Sequence, residues 1–223
     1  MQRCGDRQSG LSRNGEADAD AFSMMEQVLG EGAADQVLTC GLNGEVMLLA
    51  QGHRLGVPTE PLIDDKGLTP LVARARDWLA RYGDRILFPH DVVVEAGRRK
   101  QLTTAELPVE APMVDVGEQT IARYIEIINQ AAAIFVNGPA GIYENPVSAM
   151  GTERLRNAIA DAPGSSVIGG GDSVAAGAKF NVLERIGYVC TSDGGMVRFL
   201  SGQELPVIAA LRRAAKRYQK GHR

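Results

Sequence analysis

The chain has 223 residues with 44% hydrophobic content, which can build a large core and argues against global disorder. Its net charge of -3, from 24 Lys and Arg against 27 Asp and Glu, argues against a nucleic-acid binder, since a nucleic-acid backbone requires clustered positive charge of its partner. No apolar stretch reaches the roughly 18 residues needed to span a bilayer, and the amino terminus holds no hydrophobic signal core, so the expected location is the cytoplasm, with neither membrane nor nucleic acid as a partner.

In chain order, residues 1–20, opening Met1-Gln2-Arg3-Cys4, are polar and aperiodic and are expected to be disordered or poorly packed. One domain is expected over 21–223. Short β-branched runs bounded by turn residues predict strands at 37–40, 85–88, 92–94, 133–136, 166–168 and 187–190. A helix is predicted with Thr69 as N-cap and Pro70 at its first position. Leu71, Val72, Ala75, Trp78, Leu79 and Tyr82 form its apolar face, so Trp78 reads as a core contact. A second helix follows Gly117, with Ile121, Tyr124, Ile125 and Ile128 inward, and the last starts near Pro206 with Val207, Ala210 and Leu211 on its apolar side. Strands alternating with helices predict an α/β fold in three layers, a mainly parallel Rossmann-like sheet with helices on both faces.

Two loops carry chemistry. Asn137-Gly138-Pro139-Ala140-Gly141-Ile142-Tyr143-Glu144 and Gly169-Gly170-Gly171-Asp172-Ser173 each begin where an apolar strand stops, and ligands of open α/β sheets sit at the carboxyl ends of strands. Three glycines let the backbone approach a bulky anion, and the amides that open the following helix favour negative charge. Asp172 would repel a bare phosphate but suits one carrying Mg²⁺; read structurally, it is an ordinary N-cap of a glycine-rich turn. Ser173 is placed to donate a hydrogen bond or to cap the helix. No Gly-x-Gly-x-x-Gly follows a strand. Gly171 and Gly177 have the spacing of the outer Walker A glycines, but Ala178 replaces the lysine.

The remaining reactive side chains are unremarkable. Cys4, Cys40 and Cys190 are odd in number and lack metal-ligand spacing, so they read as reduced thiols, with Cys40 and Cys190 as small buried residues ending strands. His53, His90 and His222 show no zinc pattern, and His90 reads as a loop histidine. The basic run Arg212-Arg213-Ala214-Ala215-Lys216-Arg217, continuing to Lys220 and Arg223, reads as a solvated helix end that complements the helix dipole.

Taken with four further segments, the two loops resemble the carboxyl-terminal, nucleotide-binding half of phosphoglycerate kinase. Thr39-Cys40-Gly41-Leu42-Asn43-Gly44 resembles that family's adenosine loop, with Ala50-Gln51-Gly52-His53-Arg54-Leu55-Gly56 as the turn behind it. Leu87-Phe88-Pro89-His90-Asp91-Val92-Val93-Val94 is similar to its LPxDxxV strand, and Asp115-Val116-Gly117-Glu118-Gln119-Thr120 to its DIGxxT turn. Residues 137–144 fit NGPxGxFE apart from Tyr143, Gly151-Thr152 fits the helix that follows, and residues 169–173 fit GGGDS. The short loops and the ending Phe199-Leu200-Ser201-Gly202-Gln203-Glu204-Leu205-Pro206 look most similar to archaeal versions.

The resemblance implies phosphoryl transfer between 1,3-bisphosphoglycerate and ADP, giving 3-phosphoglycerate and ATP, with ATP/ADP and Mg²⁺ as the bound species. Carried over residue by residue, Glu144 would hold the ribose hydroxyls, Asn137 would lie near the phosphates, and Gly169, Gly170, Gly171, Asp172 and Ser173 would bind phosphates and metal, with Asp172 the metal ligand. Gly41 would let the purine lie against backbone. No catalytic residue is assigned.

Three departures bear on activity. The family's amino-terminal domain, which supplies the arginine- and histidine-rich phosphoglycerate site, has no counterpart here. Where the family carries Gly-Gly-Ala-Lys, this chain reads Gly15-Glu16-Ala17-Asp18-Ala19-Asp20; where it reads Ser-Thr-Gly-Gly-Gly-Ala, this chain has Cys190-Thr191-Ser192-Asp193-Gly194-Gly195. The expectation is therefore an ATP/ADP-binding half that is inactive alone and works with a separately encoded amino-terminal half. The alternative is a non-catalytic nucleotide-binding fragment or regulatory module. A Rossmann-type oxidoreductase is disfavoured by the absent dinucleotide fingerprint.

Overall fold

The computed structural model describes residues 15–192 and 195–221. Residues 1–14, Asp193, Gly194, His222 and Arg223 lie outside them, and with them the readings placed on Cys4, His222 and Asp193.

Helix α1 (Gly15–Gly30) starts inside the stretch expected to lack order. Its buried residues Phe22, Met25 and Leu29 recur three and four apart, and Phe22 stacks on Trp78 with ring centroids 5.5 Å apart. A weak polar pattern before residue 20 hid the first turns of a helix whose apolar stripe begins at Phe22.

Strand β1 (Val37–Leu38) pairs in parallel with β2 (Ile86–Leu87). Between them run α2 (Gly41–Ala50), α3 (Thr59–Asp65) and α4 (Thr69–Tyr82). Trp78 is buried, as its periodicity predicts. Thr69, expected to cap α4, is instead its first residue, and its hydroxyl donates to Asp64 at 2.9 Å while Leu68 occupies the cap position.

Next comes an antiparallel set, β3 (Asp91–Glu95) flanked by β4 (Arg99–Thr103) and β5 (Met113–Val116), in the order β4-β3-β5. Neither β4 nor β5 was predicted. Arg99-Lys100-Gln101-Leu102-Thr103 buries only Leu102, so it carries no apolar alternation, and β5 is four residues buried on every side.

Helix α5 (Glu118–Gln130) leads into β6 (Ala133–Asn137), α6 (Met150–Asp161), β7 (Ser165–Gly169), α7 (Gly171–Lys179), β8 (Tyr188–Cys190), α8 (Gly195–Leu200) and α9 (Pro206–Gly221). Strands β6, β7 and β8 are parallel neighbours in that order. The architecture is thus α/β with parallel strands flanked by helices, hydrogen-bonded in three sets.

Two apolar clusters hold it together. One joins Phe22, Met47, Leu48, Trp78 and Ile86. The other joins Val116, Ile121, Tyr124, Ile159 and Ile168 beneath the β6–β8 set. The apolar side of α9 is exposed: Val207 and Leu211 keep 69% and 61% of their surface, and among the described residues the helix buries Ala209. No helix among the described residues is long and apolar enough to cross a membrane.

Candidate functional site

Parallel strands place their carboxyl ends on one edge, and here Asn137, Gly169 and Cys190 lie in register at the ends of β6, β7 and β8. Beyond that edge the two glycine-containing loops meet. The Gly138 amide donates to Ser173 Oγ at 2.5 Å, and a Cβ added at Gly170 would stand 2.8 Å from Asn137 Oδ1. Gly170 also has φ of +91°, so both its conformation and its close neighbour require glycine. Gly41 joins from the start of α2, where an added Cβ would lie 3.9 Å from the Pro139 and Ala140 carbonyls.

The two carboxylates expected here are both exposed. Asp172 occupies the first turn of α7 but does not cap it; Gly170 is the N-cap, and no side chain bonds there. The reading of Asp172 as an ordinary cap therefore fails, and its carboxylate stays available beside a helix amino terminus. Ser173 does not cap either: it is fully buried, and its hydroxyl accepts from Gly138, tying one loop to the other. Lys179 at the end of α7 donates to the carbonyls of Tyr143 at 2.6 Å and Glu144 at 3.2 Å, which fixes the backbone that carries Glu144. Burial first, then the carboxylates of Glu144 and Asp172, hold the Tyr143 phenol above its ordinary value, so both acids flank that ring.

Beneath the loops the family-like motifs interlock. Asp91 is fully buried, and its carboxylate accepts from the Gln119 amide (3.0 Å), the Thr120 amide (2.8 Å), Thr120 Oγ1 (2.6 Å) and Gln101 Nε2 (2.8 Å). It serves as the missing cap of α5, whose own N-cap is Gly117. A Cβ at Gly117 would come within 2.2 Å of that carboxylate. Asp115 accepts from the Gly151 amide at 2.7 Å and the Val116 amide at 2.9 Å, and a Cβ at Gly151 would lie 2.2 Å from its Oδ1. Thr152 Oγ1 accepts from the Ala140 amide at 3.0 Å, anchoring the first loop to α6. Gly117 and Gly151 are thus glycines because a carboxylate occupies the space of a side chain.

Burial pushes the Asp115 carboxyl up to about 6 despite its two amide donors, and pushes the Cys40 thiol up to about 12, with Asp115 adding to the effect. Cys40, half-buried before the start of α2 rather than fully buried as its place after a strand suggests, is thus held as a thiol at neutral pH. Arg156, 2% exposed, donates from Nη2 to the Gly138 carbonyl at 2.7 Å; burial pushes it down to about 10, which leaves it cationic.

Among the described residues no three His, Cys, Asp or Glu side chains converge on a point that could hold a metal. A Mg²⁺ that arrives with phosphate oxygens and water needs only one or two carboxylates, and Asp172, exposed in the first turn of α7, fits that requirement in kind. Two clefts, of about 410 Å³ at β3–β4 and about 930 Å³ around Leu49, His53, Val57 and Arg76, contain none of the candidate residues. The structure brings Gly41, Asn137, Glu144 and Gly169 to Ser173 to the sheet edge. Sequence reasoning named Thr152 only as part of a motif and missed the supports Arg156 and Lys179; all three lie in helices, and their roles arise from contacts distant in sequence.

Fold and site together define an α/β domain with a loop-built site at the carboxyl edge of its parallel strands. The family model described as phosphoglycerate kinase matches residues 14–203, and the chain belongs to that family. Phosphoglycerate kinase of Methanopyrus kandleri is 38% identical over 193 residues, which cover 86% of this chain and 48% of that protein. The Methanothermus fervidus protein of the same name is 37% identical over 202 residues, 90% of this chain and 49% of the relative. Among solved structures, phosphoglycerate kinase from Pyrococcus horikoshii OT3 superposes with a TM-score of 0.82 at 34% identity, covering 89% of this chain and 50% of that one. The chain spans about half the length of the curated relatives it matches.

Proposed function

We propose that this chain is the carboxyl-terminal, nucleotide-binding half of a cytoplasmic phosphoglycerate kinase, and that it binds Mg·ADP and Mg·ATP at the sheet edge. The observation that carries the proposal is the closure of the two glycine loops on each other, through Gly138 and Ser173 and through Asn137 against Gly170. That closure points the start of α7 at one place, and the exposed acids Asp172 and Glu144 border it.

In this reading the amides at the α7 amino terminus receive the phosphates, Asp172 holds the metal, Glu144 takes the ribose hydroxyls, and Gly41 leaves room for the purine. Bound Mg²⁺ would supply neutralisation of phosphate charge. Phosphoryl transfer asks the protein mainly for positioning and charge stabilisation, and the family resemblance assigns the phosphoglycerate to the other, amino-terminal half. Turnover then requires that half as well. Phe199, Val207 and Leu211, exposed at 66%, 69% and 61%, support a surface that faces such a partner.

The second reading, a nucleotide-binding module without catalytic duty, is favoured by the acidic residues Glu16, Asp18 and Asp20 where the family resemblance calls for a lysine. One assay addresses both readings. A fluorescent ADP analogue bound to the chain should be displaced by ADP and ATP when Mg²⁺ is present, with no turnover until an amino-terminal half is added. Failure to bind the analogue would remove both readings; binding without turnover in the reconstituted pair would select the second.

A further inference from the structure

Arg156 reaches from α6 to the underside of the site. Its neighbours come from two of the loops: it bonds the Gly138 carbonyl, and its charge is felt by Tyr143 of the same loop, which precedes Glu144, and by Cys40, which precedes Gly41. The residue is 2% exposed, yet its Nε is buried without a hydrogen-bond partner, and it joins none of the ion pairs formed among the described residues. A buried cation with a spare donor and no carboxylate is costly.

The surroundings give that charge a use. Of the charged side chains exposed at the site among the described residues, Asp172 and Glu144 are negative, and the one cation, Lys179, is turned onto the carbonyls of Tyr143 and Glu144. A polyanionic ligand would meet two carboxylates against that single cation, so a further positive charge close by would favour it. Arg156 lies directly under the loop, where a low-dielectric setting weakens screening. Its bond also draws the Gly138 carbonyl, the negative end of a peptide dipole, toward the interior.

We propose that Arg156 is the positioning residue that makes this site select phosphorylated ligands, by holding the Gly138 loop and by supplying the buried positive charge that its exposed carboxylates lack. The inference rests on the nucleotide-binding reading above.

The test uses Arg156→Gln, which keeps a polar side chain but removes the charge and no longer reaches the Gly138 carbonyl, and Arg156→Lys, which keeps the charge. Calorimetric titration of each folded variant with Mg·ADP and with adenosine separates charge from shape. Arg156→Gln should weaken Mg·ADP roughly tenfold while adenosine binding stays within about twofold, and Arg156→Lys should recover most of the loss. Equal losses for ADP and adenosine, unchanged ADP affinity in Arg156→Gln, or no recovery in Arg156→Lys would overturn the proposal. In the unmodified chain the ¹⁵Nε resonance of Arg156 gives a readout independent of any substitution: it should move on adding Mg·ADP and stay in place with adenosine, and the same response to both would overturn it. Failure of the nucleotide reading is distinguishable, because the unmodified chain would then bind neither ligand.

Discussion

Removing the Asp91 carboxylate should be among the most damaging single changes to this domain, although Asp91 touches no proposed ligand. The side chain is fully buried and accepts four hydrogen bonds, from Gln119 N, Thr120 N, Thr120 Oγ1 and Gln101 Nε2. Hydrogen bonds to charged groups contribute about 1.5–3 kcal/mol each and are far from additive, and the charge at the α5 amino terminus adds about 0.5–1 kcal/mol. Asp91→Ala leaves buried amides without an acceptor and should cost about 4 kcal/mol, a large part of the roughly 5–15 kcal/mol available to a domain. Asp91→Asn keeps the shape and one acceptor oxygen but turns an NH₂ toward donors, and should cost about 2 kcal/mol. Urea unfolding followed by circular dichroism reads both values. Thr120→Val shares the contact, so the double variant should lose about 1–2 kcal/mol less than the sum of the singles. A loss under about 1 kcal/mol for Asp91→Ala, or strict additivity with Thr120→Val, would refute the capping role.

Three further outcomes follow from the same geometry. The Asp115 carboxyl is raised from 3.8 to about 6, so the folded state favours its protonated form; this contribution is complete below pH 3.8, is lost as pH rises through about 6, and amounts to about 3 kcal/mol. The stability of the unmodified chain relative to Asp115→Asn, measured by urea unfolding between pH 5 and 7.5, should therefore fall as pH rises, and a flat difference would contradict it. Ser173→Ala cuts the tie between the glycine loops, so it should cost about 1 kcal/mol and speed hydrogen exchange at the Gly138 amide; unchanged exchange there would count against the tie. Cys40, with its thiol pushed up to about 12, should react with a maleimide far more slowly in the native chain than in urea, and equal rates would show that the thiol is open and ionisable.

Much of the scaffold was legible because its signals are local. The helix of Leu71, Ala75, Trp78 and Tyr82 shows its period in one stretch of chain, and the strands that end at Asn137 and Gly169 are apolar runs bounded by glycine. What escaped depends on partners far away in sequence. Strand β4 is charged and half exposed, so only its pairing with β3 makes it a strand. Ser173 looks like a cap from its position, yet its hydroxyl serves Gly138, and Arg156 looks like any helix-surface arginine until its bond to the Gly138 carbonyl is seen. The apolar side of α9 was read correctly as apolar but not as exposed, because periodicity says which residues share a face and not what covers it.

The central claim is that the closed pair of glycine loops binds Mg·nucleotide, and calorimetric titration of the chain with Mg·ADP beside Glu144→Ala and Asp172→Ala tests it most directly. Saturable binding that both substitutions weaken is the predicted result; a folded chain that takes up no Mg·ADP, or one whose binding ignores both substitutions, would contradict it.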